Sequence, residues 1–302
     1  MSAPGVGPAS KARARAGALV VKLGGRSLEA PGALAQCAAE LREAARLGSG
    51  PVSDGCQRPL VVVHGGGAEV TAWCARAGIE ARFAGGLRVT DPPTLEIVAA
   101  VLAGLANKRL VAALRGGSRA EPGSGLDAVG LAALDGGIAR VRRHRESGVL
   151  GEVGEIESVD ASLLAELLAA GRTPVLASLG DDGHGALLNL NADDVAAAVA
   201  AALPADDLLL LSDTPGLRLA GELVTSLDPG ALARALAHPG VTGGMLPKLR
   251  AAQAALAGGV QRVHIAAWQG AGTIAAVLEG NAVATTCHAA SIARPANEES
   301  HA

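Results

Sequence analysis

The chain has 302 residues, of which 49% are hydrophobic and only 1% aromatic, with a formal net charge of −3. That length admits one large α/β domain or two lobes, with a core of Ala, Val, Leu and Ile, because there are two Trp, one Phe and no Tyr. The charge and the missing aromatics exclude a nucleic-acid binder built on a basic field or on base stacking.

Residues 1–17 are rich in Ala, Gly and Pro, carry Lys11, Arg13 and Arg15, and read as a flexible tail. An apolar strand is expected at 19–23, closing on Gly24-Gly25, and helical spacing follows over 33–47. After a polar loop comes a strand at 60–63, three glycines, and a helix through Val70, Trp73, Cys74 and Ala77. A long helix is expected at 94–114 and short strands at 128–131 and 155–159. Then come a helix at 161–170, a strand at 174–179, an Ala-rich helix at 192–203 and a strand at 208–211. Helices at 229–237 and 246–257, a strand at 262–266 and a helix at 273–278 complete the body, and 291–302 reads as a second flexible tail. Apolar strands alternating with amphipathic helices predict an α/β protein: a three-layer αβα sandwich around a mainly parallel sheet. The expected division is an N-terminal lobe at 18–180 and a C-terminal lobe at 181–290. No apolar run reads as long enough to span a membrane. Cys37, Cys56, Cys74 and Cys287 show no C-x-x-C spacing and read as free thiols in a reducing cytoplasm.

In such sheets ligands sit beyond the carboxyl ends of the strands. Lys22 stands at one such end. A lysine there snorkels to the surface, pairs with an acid, or faces an anion; the Gly24-Gly25 pair that follows favours the anion. The run "VVVHGGG" at 61–67 places three glycines after a buried strand, where backbone N–H groups can approach an anion. No lysine follows, as it would in a nucleotide-binding P-loop. His64 reads as a strand-end histidine bonded to its loop. "VTGGMLPK" at 241–248 opens a helix with Pro247 in its first turn. Lys248 opposes the helix dipole there, unless an anion meets it. In "NLNADD" at 189–194, Asn191 caps a helix and Asp193 and Asp194 complement its dipole, which leaves Asn189 and Asp193 open to a second role. "GGLRVT" at 85–90 presents Arg88, whose planar fork suits a carboxylate. "RVRRHR" at 140–145 reads as a solvated hairpin face rather than a nucleic-acid site.

Taken together and in order, these stretches resemble the amino acid kinase superfamily. The likeness also covers "GGLRVTDPPTLEIV" at 85–98, "LAGLANKRLVAAL" at 102–114 and "LLLLSDTPGL" at 208–217. It is strongest to members that phosphorylate the side-chain carboxylate of N-acetyl-L-glutamate with ATP in arginine and ornithine biosynthesis. The resemblance implies that Lys22 and Lys248 stabilise the transferring phosphoryl group and that Asp193 orients both. It gives Gly66, Gly67, Arg88 and Asn189 to the acyl-amino-acid substrate. It gives Gly24, Gly25, Asp213, Thr214, Pro215, Gly216, Leu217, Arg218, Gly240, Val241 and Thr242 to the nucleotide. Mg²⁺ would ride on the nucleotide phosphates, with no protein metal site, and the protein would be a cytoplasmic homodimer that binds neither nucleic acid nor membrane. Sister carboxylate kinases acting on an aminoadipate derivative, and a non-catalytic sensor on the same fold, are the alternatives. Arg26 and the segment 131–136, which lacks Ser-Gly before Asp135, depart from the family pattern. So does the Pro/Gly-rich lead, which argues against arginine feedback and hexamers.

The chemistry agrees with this inventory. A glutamate side chain, with an intrinsic pKa near 4.3, is already an anion at neutral pH and needs no general base. The obstacle is the approach of two anions, which positioned cations and N–H groups relieve.

Overall fold

The structure, a computed structural model, describes residues 17–24, 32–46, 58–117, 123–203 and 205–290. Gly25, Arg26, Cys56 and both expected tails, apart from Gly17, lie outside the described residues. The apolar runs become strands of one eight-stranded sheet. In chain order these are β1 (Ala18–Leu23), β2 (Leu60–His64), β3 (Asp127–Ala132), β4 (Arg172–Ala177), β5 (Ala205–Ser212), β6 (Ser226–Leu227), β7 (Arg262–Ala267) and β8 (Ala284–His288). They lie side by side as β6-β8-β7-β5-β1-β2-β4-β3. Every pairing is parallel except that of β7 with β8. β1 is central, with Lys22 opposite Leu210 of β5 on one side and Val63 of β2 on the other. All residues of β1 and β2 are buried, as a parallel sheet covered on both faces requires.

Apart from one short turn of helix at Ser147–Leu150, the helices among the described residues are α1 (Ala33–Arg46), α2 (Gly67–Arg76), α3 (Pro92–Arg115), α4 (Ser162–Ala169), α5 (Ala192–Ala202), α6 (Pro229–Ala237), α7 (Met245–Ala257) and α8 (Thr273–Leu278). Alternate strand residues feed two cores. Val20, Val61, Val63, Leu208 and Leu210 meet the inner faces of α4 to α7. Leu19, Val21, Leu60, Val62 and Leu209 meet α1, α8 and the end of α3. A third cluster joins α2 and the first half of α3 to Ala132, Ala177 and Leu179. The result is the expected αβα sandwich. Each fully buried leucine contributes roughly 1.5–3 kcal/mol to it. Alanine also allows close approach: a Cβ at Gly258, just after α7, would lie 2.3 Å from Cβ of Ala201 in α5.

Several elements differ from expectation. The strand expected at 174–179 is two, because Ser178 separates β4 from the hairpin Leu179–Asp181 with Leu187–Asn189. The strand expected at 155–159 lies outside the main sheet, where Gly154–Val159 pairs with Ala139–Arg143. β8 was not foreseen: its two threonines and histidine dilute the apolar signal on which the other strands stand out. The helix α3 changes over Ala100–Ala106 to π-helical pitch. It is 24 residues long with a mean hydropathy of 1.7 over its most apolar window, so by length and composition it could cross a bilayer, contrary to the reading of the sequence. Here it is a packed helix, with Thr94, Val98, Val101, Leu102, Leu110 and Leu114 buried.

Candidate active site

Two helix starts and a strand end converge at the carboxyl edge of the sheet, beside the point where the connections leave β1 in one direction and β5 in the other. Asn191 caps α5, its Oδ1 accepting the Asp193 N–H at 2.8 Å. That cap sets Asp193 in the first turn, buried, over the end of β1. The Lys22 ammonium lies 2.7 Å from Oδ1 of Asp193. The Lys248 ammonium, from the first turn of α7, donates to Oδ2 at 2.9 Å. One carboxylate thus holds both lysines, all three side chains being about nine-tenths or more shielded from solvent. Burial alone would raise the Asp193 pKa, but the two ammonium groups outweigh it and hold the group below its ordinary value. Burial lowers the Lys22 pKa, Asp193 opposes that shift, and Lys248 adds to it. A Cβ at Gly24 would lie 2.5 Å from the Lys22 Nζ, so a larger residue there would crowd the lysine head.

The glycine loop forms the adjoining wall. Gly65 packs towards Ala192 and Gly66 towards Leu102 in the π-helical segment, while Gly67 faces open space. The first intrahelical bond of α2 runs from Val70 N–H to Gly66 O, which leaves the preceding N–H groups of the helix start without intrahelical partners. His64 closes the strand beneath. Its Nδ1–H donates to Gly65 O and its Nε2 accepts from Asn107 Nδ2, both at 3.1 Å. Burial lowers the His64 pKa to about 4, which keeps the ring neutral. Asn107 Nδ2 also faces Val175 O and Leu131 O, at 2.9 and 3.2 Å, and so ties the ends of β2, β3 and β4 together.

Arg88 reaches the loop from a short hairpin in which Phe83 pairs with Arg88. Its Nη2 donates to Gly67 O and to Thr71 Oγ1, both at 2.7 Å, and its guanidinium stacks over the Phe83 ring at 4.8 Å. Its Nη1 is buried and has no hydrogen-bond partner among the described residues. A donor in that condition is costly unless a ligand completes it. Asn189 connects to the same strand end through Thr90, its Nδ2 donating to Thr90 Oγ1 at 3.0 Å. The hairpin turn reaches the other wall, since a Cβ at Gly86 would lie 3.9 Å from Gly243 O and 3.8 Å from Pro247.

The residues assigned to the nucleotide lie beyond the end of β5 and before α7. Asp213 and Arg218 are exposed, Thr214 and Pro215 half-buried, and Gly240, Thr242 and Gly243 exposed. Leu217 and Val241 place their side chains in the core, so only their backbones are available to a ligand. Gly216 packs tightly on Thr285, whose Oγ1 accepts the Leu217 N–H at 2.8 Å. Among the described residues no side chain caps the start of α7. Among the described residues no group of three or more His, Cys, Asp or Glu could hold a metal ion. A concavity of about 650 Å³ on the outer side of α5, lined by Arg142, Glu155, Asp194 and Ala198, contains none of the residues predicted for the site.

Three arginines of the "RVRRHR" stretch are ion-paired: Arg142 with Glu155 and Glu157, Arg143 with Glu152 and Asp182, and Arg145 with Glu155. Cys37, Cys74 and Cys287 are buried free thiols, and burial pushes Cys37 and Cys287 up to about 12. Sequence reasoning missed Thr71, Thr90 and Asn107. Asn107 left a signal, as a polar residue inside an apolar helical run; the two threonines left none.

A sheet of this topology, with lysines from β1 and α7 on one buried carboxylate beside a glycine loop, is that of a phosphotransferase acting on a small anionic acceptor. Residues 17–267 match the amino acid kinase family, and the chain belongs to it. It is 41% identical over 249 residues to the acetylglutamate kinase of Chloroflexus aurantiacus, covering 82% of this chain and 90% of that one. It is 44% identical over 227 residues to the acetylglutamate kinase of Methanopyrus kandleri, covering 70% and 86%. Among solved structures, N-acetylglutamate synthase from Neisseria gonorrhoeae, complexed with coenzyme A and L-arginine, superposes with a TM-score of 0.75 at 26% identity, over 90% of this chain and 61% of that one. Carbamate kinase from Giardia lamblia bound to AMP-PNP shares the fold, with a TM-score of 0.62 at 14% identity over 91% and 99%.

Proposed function

We propose that this protein transfers the γ-phosphoryl group of ATP to the side-chain carboxylate of N-acetyl-L-glutamate, giving N-acetyl-L-glutamyl 5-phosphate and ADP, a step of arginine biosynthesis. The observation that carries the reading is the pair of lysines on Asp193, beside a glycine loop to which Arg88 is tied.

In this reading Arg88 grips the α-carboxylate of the substrate, its buried Nη1, which has no partner among the described residues, finding an acceptor there. Asn189 bonds the acetylated amine. Gly66 and Gly67 present N–H groups where the two anions meet. The substrate carboxylate oxygen attacks phosphorus as the bond to the ADP oxygen breaks, and no proton moves. Lys22 and Lys248 neutralise the charge that develops on the equatorial oxygens, with Asp193 fixing their aim. Gly24, Thr242 and the uncapped start of α7 face the phosphates of the nucleotide, and Asp213 to Arg218 its other end. Mg²⁺ would ride on the nucleotide phosphates and supply charge neutralisation there.

In the same reading residues 18–180 bind the acyl-amino acid and residues 181–290 the nucleotide. The protein is a cytoplasmic homodimer. Support for the dimer comes from α3, of whose apolar window only 33% is buried within one chain; a second copy would cover the rest.

The test is ADP release with N-acetylglutamate, glutamate and aminoadipate side by side, with and without arginine. Turnover with N-acetylglutamate well above the others is expected. Equal or greater turnover with aminoadipate, or none with any acceptor, overturns the reading.

A further inference from the structure

Thr90 is fully buried and is assigned to nothing above. Its hydroxyl donates to the carbonyl of Arg88 at 2.9 Å and accepts the side-chain N–H of Asn189 at 3.0 Å. One oxygen therefore joins Asn189, 99 residues from Thr90, to the main chain of Arg88, two residues from it. We propose that Thr90 is a positioning and specificity-determining residue, its hydroxyl setting the span between the guanidinium of Arg88 and the amide of Asn189. This rests on the reading of those two residues as substrate contacts.

The geometry favours this over a purely structural hydroxyl. The Thr90 backbone is already held without it: its N–H donates to Leu150 O at 2.8 Å, and its carbonyl accepts from Glu152 N–H at 2.7 Å. The same Glu152 accepts the Asn189 N–H at its own carbonyl, at 2.9 Å. Gly151 comes so close that a Cβ there would lie 2.3 Å from the Thr90 carbonyl oxygen. The main chain at Thr90, Glu152 and Asn189 is thus held by its own hydrogen bonds, and what the hydroxyl adds is the rotamer of Asn189 and a tie from that side chain to the Arg88 carbonyl. With its Nδ2 engaged by Thr90, Asn189 has one amide hydrogen and its oxygen left for a ligand. Without that bond the amide is free to turn. A site that reads an amide by hydrogen bonds loses discrimination when the reading group is no longer fixed.

The experiment compares wild type, Thr90→Val and Thr90→Ser in steady-state kinetics with N-acetylglutamate, glutamate and ATP varied in turn, with thermal melts alongside. Valine preserves the shape and removes the hydroxyl; serine restores it. For Thr90→Val we expect KM for N-acetylglutamate to rise about tenfold or more. KM for ATP should stay within about twofold, the preference for N-acetylglutamate over glutamate should fall in the same proportion as affinity, and Thr90→Ser should recover most of both. Unchanged KM and preference in a folded Thr90→Val overturn the inference, as do equal rises in both KM values or failure of serine to rescue. Should Thr90→Val fail to fold, Thr90→Ala, which also removes the hydroxyl and adds no bulk, decides by the same readouts. Wild type that ignores N-acetylglutamate overturns the functional reading itself, a result distinct from an active wild type with an indifferent Thr90.

Discussion

The ammonium of Lys248 sits 2.9 Å from Oδ2 of Asp193, two groups 55 residues apart that their helix starts bring together. The other oxygen of the same carboxylate faces Lys22 at 2.7 Å. Asp193→Asn keeps the shape and removes the charge that aims both lysines. We expect kcat to fall roughly 100- to 1000-fold, as for loss of other fixed electrostatic groups, with the fold retained. Circular dichroism and ADP-release kinetics check it; near-normal turnover would remove Asp193 from the machinery. Lys22→Ala and Lys248→Ala should lose at least as much.

His64 bears on acid stability rather than on the phosphoryl step. Its folded pKa, about 4, lies below the ordinary 6.5 because the neutral ring is buried. Between those values the unfolded chain binds the proton that the folded chain refuses. Stability is therefore complete above pH 6.5 and declines as pH falls towards 4, by roughly 3 kcal/mol in total. Melting temperatures of wild type and His64→Asn over pH 4–8 test this. The variant should be less stable at pH 7 and should show a flatter slope below pH 6.5.

Asp207 anchors the opposite edge of the sheet. It accepts from Arg58 at 2.6 Å and from Arg262 at 2.7 Å, and lies 3.2 Å from Nε2 of His264. Burial would raise its pKa, but the hydrogen bonds from His264, Arg262 and Arg58 prevail and depress it. Its contribution is present above the unfolded value of 3.8 and is lost as pH falls below that towards the folded value. Asp207→Asn, which strips the buried Arg58 of its counter-charge, should cost about 3 kcal/mol at neutral pH and blunt the acid limb below pH 4, read by urea melts.

Gly130 in β3 lies directly against Asn107. A Cβ there would fall 2.1 Å from Asn107 Oδ1 and 2.7 Å from the Lys108 ammonium. Gly130→Ala must displace the side chain that ties His64 to the ends of β3 and β4. We expect a loss of about 2 kcal/mol or more from the broken hydrogen bonds, with the pH slope of His64 altered as well. A variant as stable as wild type would show that Asn107 is not held where it is seen.

Much of this was legible in the residues in order. Apolar runs ending at Lys22, His64 and Ser212 marked the strands, because a strand covered on both faces must be apolar throughout. Glycines, the Asn191 cap and the charged residues beside them marked the loops that bear chemistry. β8 and the π-helical turn of α3 were hidden, the first because threonines weaken the apolar signal, the second because pitch is not written in composition.

By itself the sequence determined the alternation of strand and helix, the chemical inventory of the site and its order along the chain, since these follow from local hydrophobic period and residue type. Only the tertiary structure decided which polar atoms meet. Asn189 finds Thr90 across 99 residues, and Asn107 finds Val175 across 68. Arg88 spends Nη2 on Gly67 and Thr71 and keeps Nη1 without a partner among the described residues. Such pairings are fixed by helices packing on one sheet to the nearest few tenths of an ångström, and no pattern along the chain encodes a distance across it.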